Sequence, residues 1–164
     1  MSQTDQPEEY SPLQASLLRV DQERKRLFEI FYRQLFEQHP SVEALFGSFS
    51  TTERKQMIDR ILTSILASAE GEDWLSKDLA ALGARHRDYE VTASMYHQVI
   101  ECFLNAVIEV EGDEWSDDLA SLWRGGLERI SGYMDEEVSQ SSKYRQVDLL
   151  DLYIHTSDPW DFYT

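Results

Sequence analysis

The chain has 164 residues, with 31 acidic and 15 basic side chains, so its formal net charge at pH 7 is −16. This length predicts a single domain, and a hydrophobic fraction of 41% is enough to form a core. The acidic balance argues against nucleic acid or an anionic membrane as a partner, because phosphate recognition needs clustered Lys and Arg.

The cysteine usage and the first residues indicate the compartment. A single cysteine, Cys102, excludes an intramolecular disulfide, and its apolar neighbours predict a small buried side chain. The N-terminus has neither a basic start nor an apolar run, so we expect no secretion signal. No stretch approaches the roughly 18 apolar residues of a membrane span. These features predict a cytoplasmic protein without a membrane partner.

The first half of the chain shows helical spacing of apolar residues. Ser11-Pro12 is a predicted helix start, with Ser as the cap and Pro at the first helical position. The stripe that follows is interrupted at His39-Pro40, because the residue before a proline disfavours the α region. After the short segment 41–46, Ser50 and Glu53 form a predicted capping box at the start of the next helix. The stripes include Leu18 and Leu66 as core candidates.

The second half continues the helical pattern. A shorter helix over about residues 74–87 leads to His86, and Thr92 is a predicted cap of the following helix. The segment 111–116 is a predicted turn, after which Ser116 starts a last long helix whose stripe includes Leu122. About seven helices with one short crossing segment predict an all-α fold with steep helix packing. The predicted organisation is a flexible N-terminus (1–10), a helical domain (11–142) and an acidic, aromatic tail (143–164).

Three stretches carry a specific order and spacing of residues. They are FYRQLFEQHPSVEALF (31–46), LGARHRDYEVTASMYHQV (82–99) and GDEWSDDLASLWRGGLERISGYM (112–134). Together they resemble the bacterial single-domain haemoglobins and the globin half of the flavohaemoglobins, over about residues 12–138. The resemblance implies a globin-like three-over-three helical sandwich that binds haem b.

The resemblance also assigns the residues on the haem. His86 would be the proximal ligand that holds the iron as a neutral imidazole, whereas residue type alone would favour an exposed helix-end histidine. Arg85 would pair with a haem propionate, although an exposed arginine without a role is an equal alternative. The remaining contacts implied by the resemblance are apolar or aromatic: Phe46 on the porphyrin face, Met57 on the distal side, and Val91, Tyr96 and Val99 on the proximal wall.

On the distal side, Tyr32 matches the tyrosine whose hydroxyl donates a hydrogen bond to bound oxygen in bacterial globins. The alternative for Tyr32 is a ring that simply packs in the core. Glu53 occupies the position where the family usually has Gln, Leu or His. A carboxylate is poorly placed beside bound oxygen, so we expect Glu53 to cap its helix instead. Gln56 is then a weaker candidate for the second distal donor.

Besides Glu53 on the distal side, the chain also departs from the family pattern on the proximal side. Flavohaemoglobin-type globins place a Glu late in the last helix, in a network with the proximal histidine and a tyrosine. Ungapped alignment puts Val138 at that position, with Glu137 adjacent, so Tyr96 is present without its aligned carboxylate. This departure weakens the expectation of an NO-consuming iron.

The function that follows from the resemblance is reversible binding of O₂ or a related diatomic gas, such as NO or CO. We expect no reductase domain after the last helix and therefore no enzyme, so that sustained NO consumption would need an external reductase. A homodimer is the other partner that we consider. Two alternatives remain: a gas- or redox-responsive sensor or interaction module, and a haem-free globin-fold signalling scaffold.

Overall fold

The computed structural model describes residues 10–72 and 74–136, and all of their regular structure is helical. The helices are α1 (Pro12–Gln22), α2 (Arg24–Gln38), α3 (Pro40–Phe46), α4 (Thr51–Ala69), α5 (Leu75–Asp88), α6 (Ala93–Glu111) and α7 (Asp117–Glu136), with a 3₁₀ turn at Gly112–Glu114. The all-α prediction is confirmed. Residues 1–9 of the predicted N-terminus, Glu137, Val138 and the predicted tail lie outside the described residues.

Side-chain caps start several of the helices where the sequence predicts them. The Ser11 hydroxyl accepts a 3.2 Å hydrogen bond from the Gln14 backbone N–H, and the Gln14 side chain accepts one from the Ser11 N–H at 2.9 Å. Thr92 and Ser116 cap α6 and α7 in the same way, because their hydroxyls accept from backbone N–H groups three residues later. These caps satisfy N–H groups that have no partner within the helix.

The predicted capping box at the start of α4 is correct only in its first half. The Ser50 hydroxyl accepts a 3.2 Å hydrogen bond from the Glu53 backbone N–H, as predicted. The Glu53 carboxylate accepts a long 3.4 Å bond from the same hydroxyl and does not reach the Ser50 backbone N–H. Glu53 is exposed, so water solvates the rest of its charge.

The helices pack as two layers of three, which is the predicted three-over-three arrangement. In one layer α4 contacts both α1 and α5, and in the other α6 contacts both α2 and α7. Contacts of α7 with α4 and α5, and of α1 with α6, join the layers. Phe31, Phe103 and Trp123 are fully buried between them, with ring centroids 5.4 Å and 6.3 Å apart along the row.

Three leucines from the predicted stripes are exposed, which corrects their assignment to the core. Leu18, Leu66 and Leu122 are 45%, 36% and 41% exposed, respectively. Leu18 and Leu122 each stand next to a buried neighbour, Leu17 and Trp123. Successive helical residues point about 100° apart, so one of two adjacent residues leaves the narrow face that a neighbouring helix covers.

Helix α5 crosses α7 at very short distance. A Cβ atom on Gly83 would lie 2.1 Å from the Met134 carbonyl oxygen, so only glycine permits this approach. Gly83 is one helical turn before His86, and the close crossing therefore fixes where His86 stands relative to α7.

None of the helices within residues 10–72 and 74–136 combines the length and apolar character that a membrane crossing requires.

Candidate functional site

A cavity of about 300 Å³ opens between α3, α4, α5, α6 and α7, and most of its lining is apolar. Every site residue named from the sequence lines this cavity except Tyr32: Phe46, Glu53, Gln56, Met57, Arg85, His86, Val91, Tyr96 and Val99. These residues come from α3, α4, α5, α6 and the α5–α6 connection. Tertiary packing thus brings together residues that are up to 53 positions apart in the chain, Phe46 and Val99 (99 − 46).

His86 lies near the end of α5 and lines the cavity. Its Nδ1 is 2.8 Å from the Leu82 carbonyl oxygen, which can only accept a hydrogen bond. Nδ1 therefore carries the proton of the neutral ring, and Nε2 keeps a lone pair. Burial lowers the pKa of His86, the Leu82 carbonyl opposes this, and the charge on Arg85 adds to the lowering. The neutral tautomer with a free Nε2 is the form in which histidine binds a metal.

Tyr96 of α6 stacks on His86, with ring centroids 6.1 Å apart and an interplanar angle of 28°. The pKa of Tyr96 is raised to about 12, chiefly by burial and then by the charge of Asp135, while Arg87 opposes the shift. Asp135 of α7 is therefore a carboxylate whose negative charge contributes to the raised pKa of Tyr96. Asp135 is not predicted from the sequence, because ungapped alignment points instead to Val138 and the adjacent Glu137, which lie outside the described residues.

Tyr32 of α2 is 4% exposed and is surrounded by phenylalanines rather than lining the cavity. Its hydroxyl donates a 2.8 Å hydrogen bond to the Arg54 carbonyl oxygen. Its ring lies 4.8 Å from Phe31 and 5.6 Å from the cavity residue Phe46, measured between centroids. Burial raises the pKa of Tyr32, and the nearby Arg54 only partly opposes this. The hydroxyl thus remains protonated and can act as a donor.

The cavity also contains residues that the sequence analysis did not single out. Arg54 and Arg60 of α4 line it. The apolar periodicity of α4 does not predict their position, because it concerns only apolar side chains. Phe49 and Tyr89 line it from the connections after α3 and α5, with their ring centroids 5.1 Å apart. Neither connection has a periodic pattern from which this contact could be predicted.

Comparison with known proteins agrees with this architecture. A family profile described as Globin matches residues 29–134. The chain is 27% identical over 124 residues to a flavohemoprotein of Rhizobium meliloti (strain 1021), an alignment that covers 73% of this chain and 31% of the relative. It is 33% identical over 123 residues to a flavohemoprotein of Halalkalibacterium halodurans, covering 68% of this chain and 29% of the relative.

The chain therefore spans less than a third of the length of these two relatives. The family match extends from the middle of α2 almost to the end of α7, and it includes the cavity-lining residues named above. The two-layer helical fold, the cavity between its layers and the family match lead to one conclusion: this chain belongs to the globin family.

Proposed function

We propose that the chain binds haem b in the cavity, with His86 as the proximal ligand, and that the haem reversibly binds a diatomic gas. The observation that supports this proposal most directly is the 2.8 Å bond between Nδ1 of His86 and the Leu82 carbonyl. That bond holds the imidazole in the tautomer whose Nε2 can coordinate iron. Bound haem supplies the iron centre to which a gas can bind.

The residues around the cavity fit a haem. A haem has a large apolar plane, and Phe46, Met57 and Val99 offer it apolar side chains from three different helices. Its two propionates carry negative charge, for which Arg85 beside the proximal histidine is a suitable partner. Leu127 and Ile130 add apolar contacts from α7. The short crossing at Gly83 supports the proposal further, since it fixes the helix that carries His86.

Tyr32 is the proposed hydrogen-bond donor to a bound gas such as O₂. Its hydroxyl donates to the Arg54 carbonyl in this structure, so it would have to exchange that acceptor for the ligand. By helix geometry the Arg54 carbonyl already accepts from the N–H four residues later, so the Tyr32 hydroxyl is its second donor. Loss of that second bond leaves the carbonyl satisfied. A partly charged oxygen is a stronger acceptor than a carbonyl, so the hydroxyl is expected to turn to the ligand.

We propose gas binding rather than catalysis as the role of this chain. NO and CO are alternative ligands of the same site, and a homodimer and an external reductase remain proposed partners. The cytoplasmic location also stays a prediction. Because the chain spans less than a third of the flavohemoproteins that it resembles, their activity as whole proteins carries over only as a proposal.

An absorption spectrum of the purified protein tests the function. We expect a Soret band after reconstitution with haem, a shift on reduction, and a further shift on adding CO to the reduced protein. A folded, helical protein that takes up no haem would contradict the proposal and support the haem-free scaffold. A spectrum that changes with ligand, together with a partner released on ligand binding, would instead favour the sensor.

A further inference from the structure

The cavity has two exposed residues in its lining, and they mark where it opens to solvent. Among the described residues that line the cavity, only Glu53 and Tyr89 are exposed, and Tyr89 is 50% exposed. Glu53 lies in the first turn of α4, and Tyr89 follows directly after α5. The opening therefore lies between the start of α4 and the connection that joins α5 to α6.

Two aromatic rings meet at this opening. The ring of Phe49, in the connection before α4, lies 5.1 Å from the ring of Tyr89 between centroids, with an interplanar angle of 77°. This is the edge-to-face arrangement that aromatic pairs prefer. Phe49 also lies 5.9 Å from Phe46 between ring centroids, and all three residues line the cavity. The rings thus form a row from the wall of the cavity to its exposed rim.

The Tyr89 side of this contact is held by the end of α5. The backbone N–H groups of Tyr89 and Val91 both donate to the His86 carbonyl, at 3.2 Å and 3.1 Å. The Glu90 N–H donates to the Arg87 carbonyl at 2.8 Å, and Glu90 has a φ of 63°. A residue in the left-handed conformation closes the end of a helix in this way. Tyr89 is thereby fixed relative to His86, the proposed haem ligand.

The Phe49 side belongs to a short connection between α3 and α4. The Phe49 N–H donates a 3.0 Å hydrogen bond to the Phe46 carbonyl, and the Gly47 N–H donates a long 3.4 Å bond to the Ala44 carbonyl. A connection outside the helices opens at a lower free energy than the helices that it joins. Phe49 is therefore the side that moves when the two rings separate.

We propose that Phe49 and Tyr89 form an aromatic gate through which haem enters and leaves the cavity. The inference rests on the proposed haem function and concerns the exchange of haem, which that function does not specify. Haem is a rigid plane, so it cannot pass between the two rings while they are in contact. Because Tyr89 stays on the end of α5, Phe49 returns to it after haem has entered. The contact thus slows entry and release alike, and it has little effect on haem affinity.

The test measures the two rates on the full chain. Release is followed at the Soret band as ferric haem passes to an excess of apomyoglobin, and entry is followed by stopped-flow mixing of the haem-free protein with the CO complex of haem. Loss of an aromatic pair shifts an equilibrium constant by up to about tenfold. In Tyr89→Ala we therefore expect release and entry both to accelerate about three- to tenfold, while the haem dissociation constant changes less than about twofold.

Three further variants control the result. Tyr89→Phe keeps the ring and should keep the wild-type rates. Tyr10→Ala is the matched control, because it removes another exposed tyrosine, one that precedes α1 and does not line the cavity; both rates should stay at the wild-type values. The double variant Phe49→Ala/Tyr89→Ala should be no faster than the faster single variant, since the same contact can be lost only once. If Phe49→Ala does not fold, the variants of the exposed Tyr89 still decide the question.

The outcomes separate the gate from the haem function. Unchanged rates in Tyr89→Ala, with normal Soret and CO spectra, would overturn the gate and leave haem binding intact. Faster release with an equal loss of affinity and unchanged entry would also overturn it, because the rings would then be ordinary haem contacts. Single effects that multiply in the double variant would show that the rings act separately and would contradict the gate. Failure of the wild-type protein to take up haem would overturn the proposed function and the gate together.

Discussion

Gly83 of α5 and Met134 of α7 are in direct contact through their backbones. The position that a Cβ would occupy on Gly83 lies 2.1 Å from the Met134 carbonyl oxygen and 2.8 Å from its carbonyl carbon. Both atoms belong to the backbone of a helix, so neither can move aside as a side chain would. The contact sets the separation of α5 and α7, and with it the position of His86 one turn later.

Replacing Gly83 by alanine should therefore destabilise the protein. The added methyl group overpacks the crossing, and we expect a loss of about 1–3 kcal/mol in the free energy of unfolding. Chemical denaturation measures it. Gly132→Ala on α7 is the control, since among the described residues no atom outside its own stretch of helix lies within 4 Å of the added Cβ. Alanine is the better helix former there, so this variant should gain about 0.5–1 kcal/mol. Equal stability of the two variants would contradict the steric account.

Replacing His86 by alanine should abolish stable haem binding and leave the protein helical. The proximal bond disappears, while the helix tolerates alanine well. Haem titration followed at the Soret band measures the effect, and circular dichroism reports the fold. His97→Ala is the control, because His97 is an exposed histidine of the following helix and should keep wild-type haem affinity.

Added imidazole should restore the haem spectrum in His86→Gly, because the free base can occupy the space of the missing ring. A His86→Ala protein that binds haem with the wild-type spectrum would rule out His86 as the ligand.

Tyr32→Phe should accelerate the dissociation of O₂. The hydroxyl would exchange a carbonyl acceptor for a partly charged one, a difference of about 1.4 kcal/mol, so we expect the O₂ off-rate to rise about tenfold. CO carries little charge on its outer atom, and its off-rate should change far less. Stopped-flow dissociation of both gases measures the contrast. An O₂ off-rate within twofold of wild type would show that the hydroxyl stays on the Arg54 carbonyl.

Ser16→Ala should destabilise the protein through its buried partners. The Ser16 hydroxyl donates a 2.9 Å bond to the Glu111 carboxylate and accepts a 2.8 Å bond from Nε1 of Trp123. Arg19 stays paired with the carboxylate, but the indole N–H loses its acceptor, which costs about 1–3 kcal/mol. Thermal and chemical unfolding measure the loss. Ser121→Ala, on an exposed position of α7, should change stability by less than about 0.5 kcal/mol.

The sequence by itself determined the helices, most of their caps and the residues that identify the family. Ser11, Thr92 and Ser116 cap the helices they precede because a cap involves residues only three positions apart. The motif around His86 was readable for a similar reason: its residues follow one another along the chain, from the end of α5 through the turn into the first part of α6.

Only the tertiary structure decided which residues meet across the helices. Ser16 bonds to Trp123, 107 positions away, and no local pattern encodes that pairing. The Tyr32 hydroxyl on the Arg54 carbonyl and the charge of Asp135 on Tyr96 arise in the same way. Such contacts depend on where two helices cross and how each is rotated about its axis. Those two quantities are set by packing of the whole core, and a single stripe of apolar residues leaves both undetermined.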